Sequence, residues 1–340
     1  MAEINEMKMM IEVIAAALVS SFAIMMIIMP RLIEKLKQRG TVTIDRYKKD
    51  LREIPTQGGF VIIAVGFFFF GLTALFEHLP VPFLVPIQLS DVDWAILIVA
   101  GLFAGFGLVD DFVNVGRPAK LFLLFFFSFR LIFDIGSTMV TIPLLGSFDF
   151  GVYYLFLIVP LYVMVVANLV NMHSGFNGLG SGLSAILLFF MLIKLILAGS
   201  AGVLVLSCML GATLGFLRFN RYPAKILEGN VGSLALGATI GAAIVVSGFL
   251  VAGFVMLIPH TVNFLMYFYW RVMHRLYPED ERWRIVKFGN IHEDGTLEVP
   301  NRLTLKWILP SYVMMTERQA VLAMYALTLP FCVAGLFIPY

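Results

Sequence analysis

Two adjacent carboxylates, Asp110 and Asp111, stand shortly before Asn114 and Lys120. Acids this close repel each other unless a cation offsets them, and Lys120 is at hand to do so. Such a set suits a site for a divalent metal or a phosphate, because Mg²⁺ takes oxygen ligands, often one or two carboxylates plus substrate phosphates. A solvated helix end is the plainer reading of the same pair. Further on, Asn168, Asn171 and Asn177 are interleaved with Gly175, Gly178, Gly180 and Gly182. Glycine lets backbone approach a ligand closely, and Gly/Ser linkers are the alternative. His173, inside that stretch, reads equally as structural or catalytic. A third stretch, Asn220 to Ser233, carries Arg221, Lys225, Glu228, Gly229, Asn230 and Gly232. Glycine and serine at a helix start, with cations nearby, make an anion site from backbone N–H groups and the helix dipole. Ser233 and Asn230 are also good helix caps. Finally, Arg282 and Arg284 flank Trp283. Two guanidiniums so placed suit a diphosphate gripped bidentately, or are ordinary surface charges.

These groups sit in a chain that is otherwise apolar. Of 340 residues, 60% are hydrophobic and 14% charged, with mean hydropathy +0.92. A soluble domain carries about 25% charged residues. The composition excludes a soluble enzyme, a disordered chain and a nucleic-acid binder. A membrane-spanning helix needs about 20 mostly apolar residues. Candidates are Met10–Met29, Phe60–Phe76, Trp94–Val109, Lys120–Gly136, Val152–Val170, Leu183–Ala198, Ala201–Phe219, Gly232–Phe249, Val251–Trp270 and Ala320–Ile338. The expected fold is an all-α polytopic membrane protein of about ten helices, a single integral membrane domain over residues 1–340. The first segment does not read as a cleavable signal: it is long, follows Glu3 and Glu6, and precedes a basic stretch. Cys208 and Cys332 both lie in apolar runs and read as packing.

Charge along the chain predicts the orientation. Eight of the 24 Lys and Arg fall in Pro30–Gly59, none in Glu77–Asp93 or Ser137–Gly151, and 21 in all fall on alternate joints. The positive-inside rule makes that side cytoplasmic, with both termini outside. The acids, asparagines and glycines described above fall on the same side. Arg130 and Asp134, four apart, are expected to pair within the membrane. Residues 271–319 form the largest cytoplasmic insertion. Within it Trp283–Phe288 and Thr296–Val299 read as strand-like runs flanking turn residues, a small β-hairpin.

Taken in order, the motifs resemble those of the polyprenyl-phosphate N-acetylhexosamine-1-phosphate transferases, closest to the branch that transfers N-acetylglucosamine-1-phosphate to dolichyl phosphate. They run through Ile54-Pro-Thr-Gln-Gly58-Gly59, Asp110-Asp111-x-x-Asn114 with Lys120, and Asn168-x-x-Asn171-x-x-x-Gly175-x-Asn177-Gly178. They continue through Asn220-x-x-Pro-Ala-Lys225, Gly229-x-x-Gly232-Ser233-Leu and Ile258-Pro-His260-x-x-Asn263. The resemblance implies transfer of N-acetylglucosamine-1-phosphate from UDP-N-acetylglucosamine to a polyprenyl or dolichyl phosphate, with UMP released, in lipid-linked glycan assembly for N-glycosylation. It implies Mg²⁺ or Mn²⁺ as cofactor, membrane lipid as surroundings, and a cell or endoplasmic reticulum membrane as location. A homodimer is the expected assembly. Asp110, Asp111 and Lys120 are the implied catalytic residues. Asn171 and Asn230 are the implied metal ligands, and Asn114, Asn177, Lys225, Arg282 and Arg284 the substrate-binding set. Three positions depart from the pattern. Asn230 stands where the family has an aspartate, Trp283 where the dolichyl branch has a histidine, and the histidine triplet of the muramoyl-pentapeptide branch is missing. An undecaprenyl-phosphate enzyme is the alternative within the class. A transporter is the alternative outside it, but would place polar groups near mid-membrane.

Overall fold

Inside lipid every backbone N–H and C=O must bond within its own segment, so apolar runs joined by short polar stretches fold as a helix bundle. The computed structural model describes residues 2–77, 89–113 and 115–339. Helix α1 (Ala2–Gln38) leads to a hairpin of β1 (Val42–Ile44) and β2 (Glu53–Pro55), then α2 (Phe60–Glu77), α3 (Asp91–Val113) and α4 (Arg117–Phe127). A second hairpin, β3 (Met139–Ile142) and β4 (Gly146–Asp149), precedes α5 (Gly151–Tyr153), which passes through a π turn into α6 (Val159–Met172). Helices α7 (Leu179–Ala198), α8 (Val203–Asn220), α9 (Gly229–Val246), α10 (Leu250–Met256) and α11 (Ile258–Leu276) follow. A third hairpin, β5 (Asn290–Ile291) and β6 (Leu297–Glu298), the short α12 (Leu305–Ile308) and α13 (Glu317–Phe337) complete the order. All three hairpins are antiparallel, with Thr43 opposite Ile54, Val140 opposite Phe148 and Ile291 opposite Leu297.

Among the described residues seven helices are long and apolar enough to cross a membrane, and up to eight if the bent pair α10–α11 counts as one span. The chain is therefore a multi-pass membrane protein. Two expected spans are interrupted. Lys120–Gly136 becomes α4 followed by a 3₁₀ segment, Ser128–Asp134. Val251–Trp270 breaks at Leu257, where α10 and α11 meet at 67°. The apolar stretch of α2, Phe60–Leu75, is shorter than a full span. In the insertion, the first strand is Asn290–Ile291 and not Trp283–Phe288, because residues 281–283 form a 3₁₀ turn held by Asp280. Most of the Glu77–Asp93 joint lies outside the described residues.

Helix α9 is the centre of the bundle: 83% of its residues are buried, against 17% in the most apolar stretch of α1. Small residues bring its neighbours close. A Cβ added at Gly237 would sit 2.6 Å from the Ala167 Cα, and one at Gly241 3.1 Å from the Val163 Cα. Lipid tails are as apolar as leucine, so close van der Waals packing of this kind holds helices together in a membrane. Hydroxyls at mid-helix bond to their own backbone: Thr213 to the Met209 carbonyl (2.6 Å), Thr239 to Ala235 (2.9 Å) and Thr328 to Met324 (2.9 Å). Arg130 and Asp134 form the expected pair. Cys208 and Cys332 are free and buried.

Candidate active site

The ends of α3, α6 and α8 and the starts of α4, α7 and α9 converge at the end of the bundle that carries the basic loops. The β1–β2 loop and the insertion cover them, enclosing a cavity of about 510 Å³. Pockets of about 300–1,000 Å³ are typical of small-molecule sites. Asp111, Asn171, Asn177, Glu228, Asn230 and Ser233 line it.

Each acid of the pair has a structural partner. Asp110 accepts from Lys120 Nζ (3.0 Å) and Asn230 Nδ2 (3.2 Å) on Oδ2, and from the Val115 backbone N–H (3.0 Å) on Oδ1. It therefore clamps the α3–α4 turn and reaches α9. Asp111 accepts the Asn230 backbone N–H at 3.1–3.2 Å. Asn230 is the second residue of α9, so Asp111 caps that helix from across the bundle, where N–H groups lack partners and the dipole favours an anion. Neither Asn230 nor Ser233 caps α9 with its own side chain. Ser233 Oγ donates instead to Asn171 Oδ1 at 2.7 Å. Gly229 makes the turn into α9 with φ of +74°, and a Cβ there would meet Asp111 Oδ2 and the Gln57 Cα, both at 2.9 Å. Only glycine meets both demands.

Asn177 ties three segments together. Its Oδ1 accepts the Ala224 N–H (2.9 Å), its Nδ2 donates to Asp45 (3.3 Å), and its backbone N–H donates to Glu317 Oε1 (2.6 Å). Glu317 also takes Lys48 Nζ at 2.5 Å. From the insertion, Lys306 Nζ donates to the Ser174 carbonyl at 2.6 Å, and burial lowers its pKa to about 8. Asn263 joins the end of α6 to α12, donating to the Met172 carbonyl (3.3 Å) and accepting the Leu305 N–H (3.0 Å). His173 is buried edge-to-face on His260, ring centroids 4.7 Å apart. Burial, with His260 and Lys306 nearby, holds His173 well below the ordinary range, so it stays neutral, and it lies off the cavity lining.

The structure thus gathers Asp110, Asp111, Lys120, Asn171, Asn177 and Asn230, while Asn114 lies outside the described residues. Lys225 is exposed in a separate pocket on the other side of Asn177. Arg282 and Arg284 are not brought to the cavity. They face solvent, paired with Asp280 (2.6 Å) and Glu281 (3.4 Å), while the Trp283 carbonyl accepts Trp270 Nε1 at 3.1 Å. The exposed cations on the cavity lining are Arg46 and Lys287, 5.7 and 5.6 Å from the centroid of Phe288. Sequence spacing singled out neither; both belong to the basic loops that the charge count had set on this side. Glu228, an acid of the third stretch, lines the cavity as well. It is buried, its Oε1 has no partner, and burial pushes its carboxyl up to about 8.

The helices that build this cavity are those matched by the profile of glycosyl transferase family 4, which covers residues 94–248. The chain belongs to that family, as a membrane-embedded glycosyl transferase. It is 32% identical over 327 residues to a Saccharolobus solfataricus protein provisionally named UDP-N-acetylglucosamine–dolichyl-phosphate N-acetylglucosaminephosphotransferase, with 94% of each chain covered. A Sulfolobus acidocaldarius protein of the same provisional name is 30% identical over 86% of each chain. The phospho-N-acetylmuramoyl-pentapeptide-transferase of Clostridium botulinum is 33% identical over 67% of this chain and 72% of its own.

Proposed function

We propose that the protein transfers N-acetylglucosamine-1-phosphate from UDP-N-acetylglucosamine to a polyprenyl phosphate of the dolichyl type. An oxygen of the lipid phosphate bonds to the sugar-linked phosphorus, the bond from that phosphorus to the bridging oxygen breaks, and UMP leaves. Phosphoryl transfer is mostly positioning and charge stabilisation. The lipid phosphate, with a second pKa near about 6, is already largely a dianion at neutral pH, so no strong base is required. That agrees with Asp110, whose two oxygens are both engaged. Asp110 holds Lys120 in place to meet phosphate, and Asp111 orients the nucleotide sugar. Arg46 and Lys287 take the diphosphate at the rim in place of Arg282 and Arg284, and Asn177 keeps the roof closed.

The donors present suit a divalent cation. Mg²⁺ is often held by one or two carboxylates together with substrate phosphates, and the cavity lining offers carboxylate and carboxamide oxygens of that kind. Asp111, Asn171 and Asn230 would hold it, and the unpartnered Glu228 Oε1 lines the same cavity. A bound Mg²⁺ or Mn²⁺ supplies charge neutralisation on the diphosphate. The charge pattern supports a cytoplasmic site in the cell membrane, or the endoplasmic reticulum membrane of a eukaryote.

The observation that carries this reading is one cavity with oxygen ligands inside and two exposed cations, Arg46 and Lys287, at its rim, neither of which forms an ion pair among the described residues. The test is a transfer assay with a panel of UDP-sugars, including the muramoyl-pentapeptide donor, scoring butanol-extractable radiolabel with and without Mg²⁺. Label transferred only from UDP-N-acetylglucosamine supports the reading; label only from the muramoyl donor replaces it with the bacterial-type alternative.

A further inference from the structure

A second pocket, of about 450 Å³, opens between the end of α8, the loop into α9 and the start of α13. Four cations line it: Arg218, Arg221, Lys225 and Arg318, and no acid does. Among the described residues none of the four has an ion-pair or side-chain hydrogen-bond partner, whereas the nearby acids Asp45 and Glu317 are already held by Lys48. Cations at the ends of inner-side helices are ordinary. Four that converge on one recess without a counter-ion are not, since each raises the cost of the others.

The recess is also built, and Asn177 builds it. Its Oδ1 holds the Ala224 N–H, next to Lys225, and its backbone N–H holds Glu317, next to Arg318. The same side chain walls off the reaction cavity. Helix electrostatics add to the case. Arg218, in the last turn of α8, sits where a cation is favoured, but Arg318 is in the first turn of α13, where the dipole disfavours one. An anion between them would relieve both the repulsion and the misplaced charge.

Depth decides what kind of anion. Arg218 and Arg318 mark the same edge of two membrane-spanning helices. Leu217 lies beside Arg218, and one turn inward from Arg318 the lining is apolar, with Val321 and Leu322, the last 51% exposed. Phosphate above and hydrocarbon below is the cross-section of a phospholipid, and basic pockets between spanning helices on the inner side take anionic headgroups. We propose that this pocket binds the headgroup of an anionic phospholipid, with an acyl chain lying along Leu322, separately from the nucleotide-sugar cavity.

Native mass spectrometry of the full chain, released from detergent with phosphatidylglycerol, phosphatidylcholine or inorganic phosphate, tests this. The wild-type protein should retain one phosphatidylglycerol with at least a tenfold preference over phosphatidylcholine. Arg221→Gln/Arg318→Gln should lower that retention about tenfold, while Arg282→Gln, remote and exposed, should leave it unchanged. Leu322→Asp should weaken lipid retention with both arginines intact, which separates a lipid from a free-phosphate site. Equal retention by wild type and the double variant would overturn the assignment. So would inorganic phosphate competing as well as the lipid, which would leave only a free-anion site.

Discussion

Replacing Asn230 by aspartate restores the family's usual residue, yet the structure says the change should harm the metal-free protein. Asn230 Nδ2 donates to Asp110 Oδ2 at 3.2 Å, the oxygen that also takes Lys120 at 3.0 Å. Aspartate has no donor there and sets a second anion against the first. Losing a hydrogen bond to a charged group costs about 1.5–3 kcal/mol. Two like charges about 4 Å apart repel by about 4 kcal/mol at an effective dielectric of 20, part of which Lys120 and side-chain relaxation remove. A net loss of about 2–4 kcal/mol lowers the thermal midpoint of a chain this long by about 3–6 °C. With a divalent cation in place the sign reverses, because ligand charge raises affinity for a hard cation. Each 1.4 kcal/mol is about tenfold. The assay is thermal unfolding in detergent, in chelator and across a Mg²⁺ titration, for wild type, Asn230→Asp and Asn230→Ala. Asn230→Asp should unfold earliest in chelator and recover most steeply, with half-saturation at about tenfold lower Mg²⁺. Asn230→Ala should be destabilised without that recovery. Superimposable curves for wild type and Asn230→Asp, with and without Mg²⁺, would refute both the Asp110 contact and the place at the metal.

Four further outcomes follow from the geometry. Arg46→Gln and Lys287→Gln should each raise KM for the nucleotide sugar about tenfold, the cost of one bond to a charged group, while Arg282→Gln leaves KM alone; the reverse pattern in steady-state kinetics would return the diphosphate to Arg282. Gly237→Val drives a Cβ to 2.6 Å from the Ala167 Cα and should lower stability by about 1–3 kcal/mol or more, whereas Gly71→Ala, with nothing within 4 Å, should be neutral in the same melt. Lys306 titrates near 8 in the folded protein, below the value of a free lysine. The unfolded chain holds its proton longer, so stability should rise with pH from about 8 to about 10.5, and this rise should vanish in Lys306→Met. Finally, a membrane-impermeant thiol reagent added to intact cells should tag Leu144→Cys, in the exposed β3–β4 turn, and spare Asp50→Cys. Both native cysteines are buried and need no removal; the opposite labelling would invert the orientation.

The helices were legible because lipid imposes a length and an apolar composition that little else in a sequence imitates. Their ends were less so. Asp91, Asp93, Asp110 and Asp111 continue α3 past the apolar run, since helical hydrogen bonding does not stop where lipid does. The polar cluster at one end was legible for the same reason, as asparagines and acids stand out in such a chain. Its internal logic was not. Asp111 as the cap of α9 depends on a backbone N–H 119 residues away, which leaves no mark in spacing. The Arg282–Arg284 element pointed outward because Trp270 holds the Trp283 carbonyl, a tertiary tie that no local pattern announces. The glycines of α9 could be seen in sequence, but their partners Ala167 and Val163 could not.

The ties at Asn177 also bear on when the protein becomes able to work. Lys48 and Glu317 are 269 residues apart, and Asn177 and Glu317 are 140 apart. During synthesis, the helices that carry Asp110, Asp111, Asn171 and Asn230 enter the membrane and can pack before Glu317 has left the ribosome. Until α13 arrives, the loop of Asp45 and Lys48 lacks its anchor and the site has no roof. Quality control could therefore recognise an unfinished chain by a single exposed feature, the unanchored basic loop, even with most of the bundle already assembled. A chain cut short before α13 should accumulate as a membrane-inserted protein without transfer activity, and supplying α13 as a separate segment should close the roof in trans.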